Sequence, residues 1–472
     1  MSSNPEGVPV IAPAHHRLLY LVAAVAQGLG LPIIQPFAIR MLDAQQWGQV
    51  SFSLSLISIG LIALSAGLPQ AISTTYFVAD AGPRKARSLA AFGSWFSVLT
   101  ALAIALAVGL WWFSRGELAA NGPYLISILI IGMHGVTQMA LAFLRSAHRA
   151  LAFVVITVIA TALGHVTGIL AITFVERTAN AYMISFAVAV FLASLLGVLA
   201  AKPKAPFEYP KVLRSAIAVA LPVLPHSLAL VLMLQGEAIL ITMFNGEEMV
   251  GRYNAVLPLA LGALAVIMAL SNVWQTTIFS HRGIDSTGEV KKVQREAAGV
   301  GVLLALGGSG AAVLVCFVIF PQASDDLLRL ARLLPLLGYG YVMFLMATTQ
   351  LFAIGRTRMM SVVTPVVAVA ALLGAAWPAS QGDLFAVGLI QVASYLVLGF
   401  VYCILVRRLN PSLVDFWFLL KGLAVAIAVT TVMVLLPLDI GTAIASFCIV
   451  ALVGLAAIAI YYRRLRMDSR IN

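Results

Sequence analysis

Charged side chains are scarce in this sequence. Asp, Glu, Lys and Arg make up only 10% of the 472 residues, whereas 61% are hydrophobic, and the mean hydropathy is +1.01. Water-soluble domains contain about 25% charged and about 45–50% apolar residues. The composition therefore excludes a water-soluble globular protein and indicates an integral membrane protein.

Cysteine is also rare. Cys316, Cys403 and Cys448 all lie in apolar stretches, where a thiol behaves as a small apolar side chain. Neither a disulfide framework nor a metal cluster follows from them. We expect no metal and no cofactor, and coupling to H⁺ or Na⁺ stays open.

The apolar residues fall into long runs. A membrane-spanning helix needs about 20 mostly apolar residues, and residues 101–110 (ALAIALAVGL) show no strand-like alternation. The sequence thus predicts an all-α polytopic membrane protein with fourteen transmembrane helices. We place them at 17–40, 48–69, 89–113, 123–144, 151–175, 181–201, 215–243, 252–275, 297–320, 333–354, 360–378, 384–406, 417–437 and 441–462.

The basic residues alternate between the two sides of these helices. All but six of the 29 lysines and arginines fall on one side, and the six exceptions lie among acidic residues: Arg40, Arg115, Arg177, Arg252, Arg329 and Arg332. The positive-inside rule then predicts a multi-pass protein of the cytoplasmic (inner) membrane with both termini cytoplasmic. This pattern accounts for the net charge of +11, so we expect no nucleic-acid partner. The connections are too short for a soluble catalytic domain, and we do not expect an enzyme.

An internal repeat divides the chain. Residues 42–50 (LDAQQWGQV) match residues 244–253 (FNGEEMVGRY), which aligns Gly48 with Gly251 at a spacing of 203 residues. Residues 74–77 (TTYF) match 276–279 (TTIF), and each match precedes a basic loop. The repeat predicts an N-terminal lobe at 1–214, a C-terminal lobe at 215–406 and two additional helices at 407–472.

The same residues carry a resemblance to a known family. An acid-rich turn, a glycine and a helix that ends in Ala66-Gly67-Leu68-Pro69 resemble the polysaccharide flippases of the multidrug/oligosaccharidyl-lipid/polysaccharide exporter (MOP) superfamily. The second copy, from Glu237 through the apolar run to Val250-Gly251-Arg252-Tyr253, is the more specific match. The resemblance covers essentially the whole chain.

The resemblance implies both a fold and an activity. Two pseudo-symmetric six-helix lobes would form a V around a central cavity that opens alternately to the two sides. The substrate would be an undecaprenyl-pyrophosphate-linked oligosaccharide, moved from the cytoplasmic to the periplasmic leaflet for surface polysaccharide synthesis. A sugar pyrophosphate cannot cross about 30 Å of hydrocarbon unaided. A polysaccharide polymerase and the chain-length machinery would be partners beside the lipid bilayer itself.

Several alternatives stay open. A lipid II flippase of peptidoglycan synthesis would carry arginines in its first two spans, and residues 48–69 contain none. A multidrug or cation antiporter would have a dedicated acidic site in a lobe, and the first six predicted spans contain no interior Asp or Glu. The remaining alternatives are a membrane enzyme and a scaffold protein without a transport role.

Polar groups inside predicted spans are the candidate site residues, because burying them in lipid is costly. Glu237 is a candidate for ion coupling or, alternatively, for pairing with an arginine. Arg40 and Arg252 could bind a pyrophosphate, pair with Glu237 or anchor their helices, and Arg17 could meet the incoming substrate or serve topology alone. The amides could bind sugar hydroxyls or join helices, and they are Gln27, Gln35, Gln70, Gln235, Asn272 and Gln275.

Prolines and histidines complete the set. Pro32 and Pro36 in span one, and Pro222 and Pro225 in span seven, each remove a backbone donor and are candidate hinges. His134, His165 and His226 could relay protons, although a buried neutral ring bonded to a carbonyl or hydroxyl group fits each of them better.

Overall fold

The computed structural model is all-helical over the part of the chain that it describes. The described residues are 34–65, 67–78, 80–280, 287–320, 323–354 and 356–471. Eleven helices in these ranges are long and apolar enough to cross a membrane. The prediction of an all-α polytopic membrane protein is confirmed.

The helices follow one another with short connections. In chain order they are α1 (34–41), α2 (Ala44–Ser65), α3 (Leu68–Tyr76), α4 (Gly82–Ser114), α5 (Gly122–Ser146), α6 (Ala150–Val158), α7 (Gly164–Phe174), α8 (Ala179–Ala201), α9 (Pro210–Ala220), α10 (Leu224–Val256), α11 (Pro258–Ser280), α12 (Thr287–Ile319), α13 (Asp325–Leu333), α14 (Leu337–Ala353), α15 (Met360–Ser380), α16 (Leu384–Leu409), α17 (Phe416–Leu435) and α18 (Ile440–Ile471). A π-helical turn at Ile159–Leu163 joins α6 to α7, and a 3₁₀ turn at Leu334–Leu336 joins α13 to α14.

Ten of the eleven apolar helices overlap one predicted span each, and α10 overlaps spans seven and eight. Most of the first predicted span lies outside the described residues, and the eighth and fourteenth correspond to α11 and α18, whose apolar described parts are shorter. Large apolar side chains on α4, such as Leu102, Leu106 and Leu110, point outward and are at least half exposed. In a membrane, hydrocarbon covers such a face.

The helices pack in two groups that meet along one line. In the first, α5 packs against α2, α4 and α8. In the second, α10 packs against α15, and α16 packs against α14 and α15. The longest contact between the two groups joins α2 to α10.

Two breaks interrupt the helices that form this contact. Gly67, at a φ of 74°, separates α2 from α3, and residues 221–223 separate α9 from α10. The hydrocarbon-spanning helix at predicted span seven starts at Leu224 rather than at residue 215, because Pro222 cannot continue the α9 hydrogen-bond ladder. A third break, Gly246 at a φ of 80°, lies inside α10 and turns the chain between spans seven and eight.

The last two helices are fastened to the second group. Both α17 and α18 pack on α12. At one end of α17, Arg295 on α12 pairs with Asp415 at 2.8 Å, and Gln294 donates to the Leu413 carbonyl at 2.8 Å. At the other end, Arg332 on α13 donates to the carbonyl groups of Leu436 and Pro437 at 2.7 and 3.1 Å.

The connection after α17 is itself ordered by hydrogen bonds. The backbone N–H and the hydroxyl of Thr442 both donate to the Asp439 carboxylate, at 2.9 and 2.7 Å. These bonds lower the pKa of Asp439 below its ordinary value, since they favour the charged form. Asp439 thereby starts α18 directly after the segment that Arg332 holds.

Arg332→Met should destabilise the protein. Arg332 is only 1% exposed, and its removal leaves two partly buried carbonyl groups without their donors, at a cost of about 1–2 kcal/mol. Thermal unfolding of the detergent-solubilised protein, followed by fluorescence size-exclusion chromatography, measures the shift. Arg329→Met, at an exposed position one turn earlier, should leave the melting temperature unchanged, and equal shifts for the two variants would contradict this role of Arg332.

Candidate functional site

The bundle has two chemically different ends. Contacts between helix ends define one of them: Gln46 accepts a bond from the Ala179 N–H at 2.6 Å, and Asn245 donates to the Ala379 carbonyl. This acid-rich end carries Asp43, Glu117, Glu176, Glu247, Glu248, Asp325, Asp326, Asp383 and Asp439. The opposite, base-rich end carries most of the lysines and arginines.

Two glycines make the closest approach between the groups of helices. A Cβ on Gly48 would overlap the carbonyl oxygen of Glu247, and a Cβ on Gly251 would overlap the carbonyl oxygen of Ala44. Ala44 precedes Gly48 by one helical turn, just as Glu247 precedes Gly251. The contact is therefore reciprocal, and the residues that the sequence repeat aligns pack against each other's backbone. Only glycine permits helices to approach so closely.

The Glu247 carboxylate reinforces this glycine crossing. Its Oε2 accepts a hydrogen bond from Gln49 Nε2 on α2 at 2.9 Å, and its Oε1 accepts one from the Tyr124 hydroxyl on α5. Hydrogen bonds to a charged acceptor are about twice as strong as neutral ones. One carboxylate from α10 thus joins two helices of the first group at the acid-rich end.

Further from this end, polar side chains continue along the interface. Ser55 on α2 donates to Gln235 Oε1 on α10 at 2.7 Å, and Gln35 Nε2 on α1 donates to the Asn254 carbonyl. A small cavity of about 50 Å³ lies among these groups. We call the set the polar seam, and it consists of Gln35, Ser51, Ser55, Ser58, Gln235 and Asn254. No carboxylate and no basic side chain belongs to it.

The two candidate arginines line a larger pocket at the acid-rich end. It measures about 480 Å³ and lies between α1, α2, the second part of α10 and the start of α13. Arg252 pairs with Glu248 at 2.5 Å rather than with Glu237. Arg40 is exposed, and its guanidinium makes no hydrogen bond or ion pair within the described ranges.

Glu237 points away from the polar seam. It is fully buried, and its Oε2 accepts a hydrogen bond from Gln391 Nε2 on α16 at 3.0 Å. Gln391 Oε1 in turn accepts a bond from the Tyr253 hydroxyl at 2.9 Å. The Oε1 atom of Glu237 has no hydrogen-bond partner among the described residues. The carboxyl group therefore sits within the second group of helices, with one oxygen free of hydrogen bonds from the described residues.

The other candidate residues are spread along the bundle. Gln70 is exposed on α3 near the base-rich end, and Gln275 is half-buried on α11. Pro36 lies in α1 beside Gln35, Pro222 lies in the break before α10, and Pro225 lies in the first turn of α10. Arg17, Gln27 and Pro32 fall outside the described residues, as does the side chain of Asn272. The structure brings Gln35 and Gln235 together at the seam and leaves Gln70 and Gln275 away from it.

The three histidines are buried. His165 Nδ1 bonds to the Tyr182 hydroxyl at 2.9 Å and His226 Nδ1 bonds to the Thr364 hydroxyl at 2.8 Å, as neutral buried rings would. His134 Nδ1 has no partner among the residues that the structure describes.

Sequence reasoning missed Gln49, Tyr124, Glu247 and the seam serines. Ser51, Ser55 and Ser58 lie at helical spacings of four and three, which places them on one face of α2. This spacing could have identified the serines as one polar face of α2 from the sequence alone. Tyr124 carries none, because its contact depends on how α5 packs against the Gly246 turn.

Comparison with known proteins supports the fold. No family model and no curated protein matches the sequence. The chain is similar to the inward-facing structure of a multidrug resistance MATE family transporter of the MOP superfamily: 14% identity, 84% of this chain and 95% of the other covered, TM-score 0.65. An outward-facing structure of such a transporter gives 14% identity, coverage of 85% and 99%, and a TM-score of 0.54.

A MATE transporter of Vibrio cholerae is similar as well. Its identity is 12%, the coverage is 86% of this chain and 97% of the other, and the TM-score is 0.57. At these identities the likeness shows the fold alone. The chain thus has the helical fold of MATE transporters.

Gly48→Ala should open the acid-rich end. The added methyl group has no room against the Glu247 backbone, so α2 and α10 must separate. In a protein whose native cysteines are alanine, Gln49→Cys and Glu247→Cys should react efficiently with a short bismaleimide crosslinker. Gly48→Ala should lower that yield several-fold.

Gly262→Ala is the matched control, since a Cβ on Gly262 would meet no atom within 4 Å. An unchanged yield in Gly48→Ala, or an equal loss in Gly262→Ala, would show that the glycine crossing does not hold the two groups together.

Proposed function

We propose that this protein is a transporter of the MOP superfamily that moves undecaprenyl-pyrophosphate-linked oligosaccharide repeat units across the inner membrane by alternating access. The observation that carries the proposal is the reciprocal Gly48–Gly251 crossing, which closes the interface between two repeat-related groups of helices at one end. A similar fold occurs in both inward-facing and outward-facing structures of other transporters. A path that closes at one end and opens at the other needs this arrangement.

Charge distribution supports the orientation. The positive-inside rule makes the base-rich end cytoplasmic, and we expect both termini on that side. The glycine crossing then closes the periplasmic side. We keep two lobes followed by two additional helices at 407–472, and we move the boundary between the lobes, which the sequence places at 214/215, to the end of α9. Because α9 packs on α3 and α4, the mobile boundary lies at the break of 221–223, where Pro222 and Pro225 serve as a hinge.

The polar seam favours a sugar substrate. Its members offer hydroxyl and amide groups that can exchange hydrogen bonds with sugar hydroxyls, and none of them is charged. Arg40 and Arg252 line the periplasmic pocket, and each can form bidentate hydrogen bonds with the pyrophosphate once Arg252 leaves Glu248. Arg17, Gln27, Gln70, Asn272 and Gln275 are kept as further contacts along the path. A transport role without chemistry on the substrate requires no enzyme activity, and the polymerase and chain-length machinery would act on the product.

A multidrug or cation antiporter is the second candidate. The similar solved structures include multidrug MATE transporters, and Glu237 is a buried acid in the second lobe. The acid points into the helix bundle instead of the seam, which disfavours direct contact with a cationic drug. In our proposal Glu237 takes H⁺ or Na⁺, because an ion would compensate a buried carboxylate whose Oε1 atom has no hydrogen-bond partner among the described residues.

Loss of this protein should abolish surface polysaccharide. Deletion of the gene should remove the polymer and leave undecaprenyl-linked repeat units in the inner leaflet. Arg40→Ala and Arg252→Ala should each lower the polymer about tenfold, the effect of one lost charge-assisted hydrogen bond. Arg329→Ala, exposed at the same end, is the control and should behave as wild type.

The measurement is polymer immunoblotting together with mass spectrometry of extracted lipid-linked intermediates. Unchanged polymer without accumulated intermediate would overturn the proposal. Accumulated lipid II with loss of cell-wall integrity would point to the peptidoglycan flippase, and drug hypersensitivity alone would point to the antiporter.

Glu237→Gln should uncouple transport from its ion gradient. The amide keeps the volume of the carboxyl group and the contact with Gln391 but cannot carry the charge that a cation compensates. In proteoliposomes with the purified protein, imposed pH or Na⁺ gradients should accelerate wild-type translocation and leave Glu237→Gln at its basal rate. Glu248→Gln changes an exposed carboxylate and should respond to the gradient as wild type does. A Glu237→Gln protein that retains the full gradient response would exclude this role.

A further inference from the structure

A groove at the base-rich end has a chemistry that the transport path does not use. It measures about 390 Å³ and lies between α3, the start of α4 and α9. Its floor is apolar, formed by Ala71, Val212 and Ala216, and its rim carries Val78, Lys85, Lys211 and the hydroxyl groups of Thr74, Thr75 and Ser215. An apolar floor below a basic and hydroxylated rim matches an amphiphile with an anionic head.

The rim has free hydrogen-bonding capacity. Lys211 is exposed and makes no ion pair within the described part of the chain, and no hydrogen bond there uses the hydroxyl groups of Thr75 or Ser215. Lys85 pairs with Asp80 at 3.0 Å, but the Asp80 side chain is 90% exposed. The Lys85 side chain is 16% exposed and lines the groove. Because water solvates the Asp80 carboxylate, the pair contributes little, and Lys85 can turn to an anion in the groove.

Exposed apolar side chains surround the groove. Phe77 and Val78 at the end of α3 are 67% and 53% exposed, and Ile217 and Leu221 beside α9 are 40% and 58% exposed. In a membrane protein such side chains contact lipid. The short amphipathic helix α9 begins at the basic loop and leads into the spanning helix α10, which places the groove at the level of the lipid headgroups.

We propose that an anionic phospholipid of the surrounding leaflet binds in this groove, with its phosphate at Lys85 and Lys211 and its glycerol and upper chains over the apolar floor. The volume lies near the lower end of the roughly 300–1,000 Å³ typical of ligand pockets. It suits a phosphate and glycerol unit rather than a repeat unit of several sugars. The inference does not depend on which substrate is transported.

The position gives the lipid a consequence. Where α3 and α9 meet, a Cβ on Gly67 would lie 3.1 Å from the Ala220 side chain, and Ala220 immediately precedes the break at 221–223. A lipid that bridges Lys85 of α4 to Lys211 of α9 holds α9 against the first group of helices. It therefore fastens α9 to the first group directly before the break at 221–223.

The test uses the full-length purified protein. Native mass spectrometry and thermal unfolding are measured with added phosphatidylglycerol and, for comparison, phosphatidylcholine. Phosphatidylglycerol should bind saturably and stabilise the wild type, and the double variant Lys85→Gln with Lys211→Gln should bind it about tenfold more weakly or worse. The control Lys202→Gln with Lys204→Gln removes two exposed charges at the same end, outside the groove, and should bind as wild type does.

A steric variant separates the groove from the charge. Ser215→Trp fills the groove while both lysines stay, and it should also lose phosphatidylglycerol binding. Equal weakening in the two double variants, or full binding in Ser215→Trp, would show that only the general positive charge attracts the lipid. If undecaprenyl pyrophosphate displaces phosphatidylglycerol at much lower concentration, the groove belongs to the substrate and the phospholipid proposal is wrong.

Discussion

The reciprocal contact of Gly48 and Gly251 is the constraint on which the rest of the structure depends. Each glycine lies against the backbone one turn before the other, so two helices from the two halves touch without an intervening side chain. This approach brings Glu247 within reach of Gln49 and Tyr124 and aligns Ser55 with Gln235. A methyl group at either glycine would displace every one of these partners.

The polar groups near the crossing fall into two sets: the seam residues bond across the interface, and Glu237 bonds within one half. In a low-dielectric environment each buried donor and acceptor needs a partner, and the seam supplies partners across the interface. Separation of the halves would break these bonds, and water or substrate hydroxyls would have to replace them. Glu237 differs because its partner Gln391 belongs to the same half. Glu237 can therefore bind or release an ion without breaking the hydrogen bonds of the seam, which suits a coupling site.

The sequence predicts the helices and the repeat well but not the direction of single side chains. Apolar runs of about 20 residues can hardly be anything but spans, and the aligned glycines lie opposite each other. Gln235 and Glu237 show the limit. Two residues apart on a helix, they point about 200° away from each other, so one faces the seam and the other the bundle. Which of them faces the seam depends on the packing of α10 between α2 and α15, and hydropathy carries no information about that packing. The hydrogen bond from Tyr124 to Glu247 was not predicted for the same reason.

We infer that the acid-rich end opens and closes while the two groups of helices move as units. Double electron–electron resonance between spin labels at Glu117 and Gln381, exposed positions on the two groups at this end, measures that motion most directly. We expect two distance populations in lipid nanodiscs. The shorter one comes from the closed crossing, and the share of the longer one should grow when the coupling ion or the substrate is added. A single distance that stays unchanged under all conditions would contradict it.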